Sequence, residues 1–380
     1  MTTTKNPLFE LQKYGQSIWI DNLSRDSIVS GELKNLIAER AVRGVTSNPA
    51  IFEKAIAGNQ IYDEDILAGV KAEKSVLEIY ESLVFDDIRN ACDVFEPVYE
   101  ASHGVDGYVS VEVPPTIARD TETTISEARR YFQTIDRPNL TIKIPGTPEG
   151  LPAVEQAISE GINVNVTLLF SIESYVNTFW AYIKGLEARA AKGEDISNIS
   201  SVASFFLSRI DTKVDALLDA QLAETDDPEQ REMLESLKGK TAIANAKLAY
   251  QEYKKIVMSD RWKALAAKGA KVQRLLWAST STKNPDYSDV MYVDELIGAN
   301  TVNTLPPKTI EACADHCHIA NRIETHVEAA QQVLDNLSEA GIEIDTVMNE
   351  LLEEGIDKFI KPFESLMASL DEKVNQLALV

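Results

Sequence analysis

Three ionisable residues stand in runs that otherwise read as buried strands: Lys143 in LTIKIPG, Glu112 in VSVEVPP and Asp21 in WIDNLSR. An amine in an apolar run is costly, because burial disfavours the ammonium. One reading lets Lys143 face outward beneath a helix and snorkel its charge to water. The other makes it a desolvated nucleophile that condenses with a ketone. A Schiff-base cycle must move protons at the carbinolamine, at the leaving water and at the hydroxyl whose C–C bond breaks, so it needs carboxyl groups nearby. Glu112 and Asp21 supply them. For Asp21 a turn or helix cap is the competing role, since Asp-Asn-Leu-Ser is a good turn sequence. An unpaired Glu112 carboxylate between Val111 and Val113 would cost several kcal/mol, which makes it harder to dismiss as structural.

Neutral polar groups join these three. Asn48, Asn165 and Thr167 are donors and acceptors suited to a polyhydroxyl chain or a catalytic water. Ser204 precedes Arg209 by five residues, and Ser279 precedes Lys283 by four. Two such serine–cation pairs on neighbouring loops are what a phosphate clamp needs. The competing reading pairs Arg209 with Asp211 or Asp215 on a helix surface.

These residues fall at the ends of short β-branched runs. Eight are readable: Ile18–Asp21, Gly44–Asn48, Tyr108–Val113, Leu140–Ile144, Asn163–Thr167, Ser201–Phe206, Arg274–Ser279 and Thr301–Leu305. Amphipathic stretches such as Thr124–Thr134 and Ser171–Ala191 lie between them. Eight strand–helix units predict an α/β fold, a (β/α)8 TIM barrel, in which chemistry gathers at the C-terminal strand ends. A doubly wound sheet would show a Gly-rich first turn, and DNLSRD lacks one. Pro49–Gly107 and Arg209–Gln273 exceed the usual repeat and predict extra helices after strands 2 and 6, for example Ser75–Ile88 and Lys240–Met258. A helical pattern at Pro7–Tyr14 precedes the barrel, and two or three more helices follow from Ile319. With no linker or low-complexity tract, residues 1–380 read as one decorated barrel domain.

The chain has 380 residues, 44% apolar, enough for a substantial core. Sixty acidic against 37 basic residues give a formal charge of −23, which disfavours nucleic acid and anionic membranes as partners. A phosphorylated substrate would then need a local cationic pocket. The N-terminal residues show no signal-peptide core and no window spans a membrane, so a soluble cytoplasmic protein is expected, as a monomer or homodimer. Cys92, Cys313 and Cys317 are too few for a disulfide framework. His103, His316, His318 and His326 all lie outside the strand runs. Cys313, His316 and Cys317 can share one helix face, but no metal and no other cofactor is expected.

The combination WIDNLSR, GVTSNPAIFEKAI, GYVSVEV, LTIKIPGTPEGLPAVE, GINVNVTLLFS, VASFFLSRID, LLWASTSTKNP and ANTVNTLPP closely resembles the transaldolase family over nearly the whole chain. The resemblance implies dihydroxyacetone transfer between sugar phosphates in the non-oxidative pentose phosphate pathway. Lys143 would be the Schiff-base lysine, Glu112 the acid–base working through a water on Thr167, and Asp21 the acceptor of the C4 hydroxyl proton. Asn48 and Asn165 would bind donor hydroxyls, Ser204 the dihydroxyacetone end, and Arg209 with Ser279 the phosphate. Compact family members carry an arginine two residues beyond the seventh-strand serine. Here that position is Ser281, and Lys283 is the nearest cation. The insert within 210–272 and the long tail match a longer branch and receive no role. The nearest rival, a fructose 6-phosphate aldolase-type lyase, resembles this pattern with Gln in place of Glu112 and Tyr in place of Phe206. An apolar Phe206 leaves the enamine without a protonating phenol, which favours transfer over release.

Overall fold

The computed structural model describes residues 6–377. Its centre is a closed barrel of eight parallel strands in sequence order. The strands are β1 Gln16–Asp21, β2 Val42–Thr46, β3 Val109–Glu112, β4 Leu140–Pro145, β5 Val164–Leu169, β6 Ser201–Phe206, β7 Arg274–Ala278 and β8 Thr301–Leu305. Every residue of β4, β5 and β6 is buried, because one face fills the barrel and the other meets a helix. That double burial explains why these segments read as near-continuous apolar runs. Against that background a polar side chain on the inner face stands out.

All eight expected runs contain strands; β6 and β8 have the expected bounds, the other six differ by one or two residues at one or both ends, and the shifts in β2 and β5 bear on the site. β2 starts at Val42 and stops at Thr46, so Asn48 lies beyond the strand. It caps the next helix, Pro49–Ile56, its side-chain oxygen accepting from the Ile51 N–H at 3.1 Å, with proline at the first helical position. β5 continues past Thr167 to Leu169. Leu168 takes a left-handed φ of 60°, and the register against β6 shifts between Val166 and Leu169. An irregularity of this kind re-aims side chains at a barrel rim.

The expected helices form as well. Thr121–Ile135 is capped by Asp120, and Ile172–Ala191 by Ser171. After β2 the chain adds Pro49–Ile56, Asp63–Lys71 and the 26-residue helix Val76–Ala101, which opens on a Ser75–Glu78 capping box and outruns the expected Ser75–Ile88. After β6 it adds Ser208–Glu224, Pro228–Leu237, Thr241–Val257 and Asp260–Ala266. The tail forms Val327–Glu339 and a 34-residue terminal helix, Ile344–Leu377.

The terminal helix contacts Pro49–Ile56 beside β2 and Ser208–Glu224 beside β6. Strands 2 and 6 are opposite one another in a ring of eight, so the helix straddles the C-terminal mouth. At the other end of the barrel the short turns Leu8–Leu11 and Gln12–Tyr14 bury Leu8 and Leu11 beside the start of β1.

Candidate active site

Lys143 lies near the end of β4 and points into the barrel. Its Nζ donates to the Ser47 carbonyl at 2.9 Å and stands 3.7 Å from Glu112 Oε2, with both side chains buried. The outward, snorkelling alternative is therefore wrong. Register explains the pair: Glu112 is the direct β3 neighbour of Lys143, and Asn165 its β5 neighbour. At 3.7 Å the amine and carboxylate attract without a hydrogen bond. Both Glu112 oxygens and the Thr167 hydroxyl are buried with no hydrogen-bond partner. Buried polar atoms are almost always paired, so three orphans around one amine mark groups available to substrate or water. Burial pushes the Glu112 carboxyl up to about 7, against the pull of Lys143.

Asp21 ends β1 beside Thr46 of β2. The Thr46 hydroxyl donates to Asp21 Oδ1 at 2.7 Å, and Thr304 of β8 lies 2.6 Å from that hydroxyl and so donates to it in turn. This relay fixes the carboxylate across the mouth from Lys143. Burial raises the Asp21 pKa, while Thr46, Lys143 and Arg209 oppose the rise.

Asp21, Asn48, Lys143, Thr167, Ser204, Phe206, Arg209 and Ser279 line one cleft. Asn165 stands behind it: Ser204 donates to Asn165 Oδ1 at 2.7 Å, and Asn165 donates to Ser110 at 3.1 Å. Its immediate role in this geometry is to orient Ser204. Lys283 is absent from the inner wall and borders an adjoining outer cleft with Arg209, Ser279, Lys213 and Lys358. There it donates to Ser281 at 2.6 Å, and burial together with Arg209 lowers its pKa.

Arg209 is the second residue of the helix after β6, Ser208–Glu224, whose N-terminus has no side-chain cap. Its Nη1 is buried and unpartnered. The surface-pair reading fails, because Asp211 accepts from Ala242 N–H and Tyr292 while Asp215 accepts from Gly239 N–H and Tyr287. A free guanidinium at an uncapped helix N-terminus suits a phosphate. Ser279 adds a hydroxyl from a left-handed backbone of φ 54°, 2.8 Å from the Ser208 hydroxyl.

Sequence reasoning missed Thr46, Thr304 and Phe359, which also line the cleft. The two threonines follow the same strand-end logic and were readable. Phe359 belongs to the terminal helix, where one phenylalanine in an amphipathic pattern carries no signal. His316 is half-exposed and bound to Asp289 and Asp315, away from the cleft. Among the described residues no group of three His, Cys, Asp or Glu is placed to hold a metal, and no helix is long and apolar enough to cross a membrane.

Comparison with known proteins agrees with this geometry. The family model described as Transaldolase/Fructose-6-phosphate aldolase matches residues 18–370. A "Transaldolase" of Trichodesmium erythraeum is 70% identical over 377 residues, 99% of each chain. A "Transaldolase 2" of Nostoc sp. is 67% identical over 378 residues, again 99% of each. A "Transaldolase" of Saccharopolyspora erythraea is 48% identical over 377 residues, 99% of this chain and 100% of its own. With a parallel eight-stranded barrel, an inward lysine and full-length likeness to these enzymes, the chain belongs to the transaldolase/fructose-6-phosphate aldolase family.

Proposed function

We propose that this chain moves a dihydroxyacetone unit from sedoheptulose 7-phosphate or fructose 6-phosphate to glyceraldehyde 3-phosphate or erythrose 4-phosphate, through a Schiff base on Lys143. The Lys143 amine adds to the ketose C2 carbonyl, and Glu112 takes the proton that the nitrogen sheds. The same carboxyl, acting through a water on Thr167, returns a proton to the C2 hydroxyl, which leaves as water. A group that titrates near neutrality can give and take a proton in one cycle. Asp21 accepts the C4 hydroxyl proton, the C3–C4 bond breaks, and the aldose departs with its phosphate. The electron pair stays on the enamine held by Lys143. An incoming aldose then reverses the sequence.

Substrate holding divides among the remaining groups. Ser204, oriented by Asn165, takes the dihydroxyacetone end, and Asn48 a donor hydroxyl. Arg209 and Ser279 hold the phosphate, with Lys283 at the outer edge. The observation that carries this reading is the buried Lys143 amine 3.7 Å from a carboxyl whose oxygens have no hydrogen-bond partner. Phe206 argues against the lyase alternative, since its side chain offers no proton to the enamine. The barrel and its helical additions would work as one domain, because the terminal helix contributes to the cleft wall. An acidic surface suits a cytoplasmic monomer or homodimer without nucleic-acid partners.

Borohydride reduction in the presence of fructose 6-phosphate, followed by peptide mass mapping, tests the reading. A reduced dihydroxyacetone adduct on Lys143 is expected, and erythrose 4-phosphate should discharge it before reduction. An adduct on another lysine, or on none, would overturn the mechanism.

A further inference from the structure

We infer that Phe359 of the terminal helix is a specificity-determining residue: its ring shields the enamine on Lys143 from protonation and hydrolysis until an aldose arrives. The inference rests on the Schiff-base reading above. The Phe359 ring centroid lies 5.7 Å from Lys143 Nζ and 5.9 Å from the Arg209 guanidinium carbon, and the side chain is only 5% exposed. Phe206 flanks the same guanidinium at 5.2 Å. With Ala278, these two rings are the apolar part of a cleft wall that is otherwise polar. The enamine carbons lie within two bonds of Nζ, close enough for the Phe359 ring to cover them.

What the ring prevents is a definite reaction. Release requires the enamine carbon to take a proton from water and a hydroxide equivalent to add at the resulting iminium carbon. The C–N bond then breaks, so that one water converts the enamine to dihydroxyacetone and free Lys143. A ring without a protic group, 5.7 Å from the nitrogen, disfavours the first of these steps, protonation at carbon. Transfer omits the protonation at carbon, because the aldose carbonyl takes up the electron pair; the product iminium is then hydrolysed by the water on Thr167, in reverse of its formation.

The helix is held so that the ring stays in place. Lys213 pairs with Glu350 and Glu354 at 2.7 and 2.6 Å on the β6 side, and Arg119 pairs with Glu353. Beyond the mouth, Lys373 pairs with Asp63 and donates to the Asn59 carbonyl at 2.8 Å. One turn before Phe359, Gly355 lets the helix sit down on the rim. A Cβ there would stand 3.0 Å from Leu168 Cδ2 and 3.6 Å from Arg209 Nη1.

The test is the ratio of free dihydroxyacetone released to dihydroxyacetone transferred, measured with fructose 6-phosphate and erythrose 4-phosphate on the full chain. Phe359→Ala should raise that ratio by about tenfold or more, the effect of ~1.4 kcal/mol in relative barriers. Phe359→Tyr, which keeps the volume and brings a phenol, should raise it too, and decides the matter if the alanine variant fails to fold. Phe359→Leu should stay near wild type. Ratios for Ala and Tyr within twofold of wild type would overturn the inference even if kcat fell, since a purely structural role lowers both routes together. Borohydride labelling of wild-type Lys143 separates the two failures: with the label present and the ratio unmoved, only the role of Phe359 is lost.

Discussion

The two ends of the barrel each draw an arginine in from solvent, Arg274 wholly and Arg209 in part, and treat it in opposite ways. At the N-terminal end Arg274 donates to Ser17 at 2.9 Å, to the Val105 carbonyl at 2.7 Å and to Asp106 at 2.9 Å. Asp106 also accepts from Ser17 and Trp19, so every partner in that cluster is itself partnered. At the C-terminal mouth Arg209 has aromatic rings beside it and an Nη1 with no acceptor, within a cleft that also holds the orphaned Thr167 hydroxyl. A closed set of hydrogen bonds spends the arginine on the fold, whereas an open set reserves it for a ligand. Charge burial alone therefore does not mark a site. The informative quantity is which buried groups are left without a partner.

The contrast can be broken in graded ways. The largest effect is expected for Lys143→Ala, which should reduce transfer to background while leaving the unfolding transition in place; measurable wild-type-like turnover would refute the covalent route. Arg274→Ala should cost stability, about 1.5–3 kcal/mol in a urea titration, because the part-buried Asp106 loses its charged partner and keeps only Ser17 and Trp19. The folded fraction should keep its kcat, and a loss of kcat without a loss of stability would erase the distinction between the two ends. Arg209→Ala should do the reverse, raising KM for phosphorylated substrates by roughly 10- to 150-fold for a charge-assisted contact of about 1.5–3 kcal/mol, with little change in unfolding. An unchanged KM would move the phosphate to Lys283 and the outer cleft. The smallest effect concerns pH. Glu112, with its pKa near 7, must be ionised to receive the proton shed by the attacking amine. The kcat/KM value should thus rise with pH through about 7, by up to about tenfold for each unit below the pKa. A profile that falls over that interval would assign the first proton to another acceptor.

Much of this architecture is legible in the sequence. The eight strands announced themselves because double burial leaves β-branched runs with little else in them, and Lys143 and Glu112 were conspicuous as exceptions to that rule. Asn48 was placed at a strand end, whereas its side chain caps a helix; TSNP reads equally well as the last strand residues or as a cap before a first-turn proline. The Ser47 carbonyl that accepts from Lys143 belongs to the backbone and leaves no trace in residue type. Asn165 reads from the sequence as a direct substrate ligand, and only its side-chain hydrogen bond shows Ser204 standing between it and the cleft. Phe359 lay beyond reach, since periodicity gives the apolar face of a helix but not what that face covers.

The order of the chain gives the straddling helix a temporal meaning. Every barrel strand precedes Ile344, so the barrel can close during synthesis before the segment bearing Phe359 has been made. At that stage the nascent protein holds Lys143, Glu112 and Asp21 without their roof. On the inference drawn above, it would consume ketose and discard dihydroxyacetone, and faithful transfer would begin only when the last helix docked.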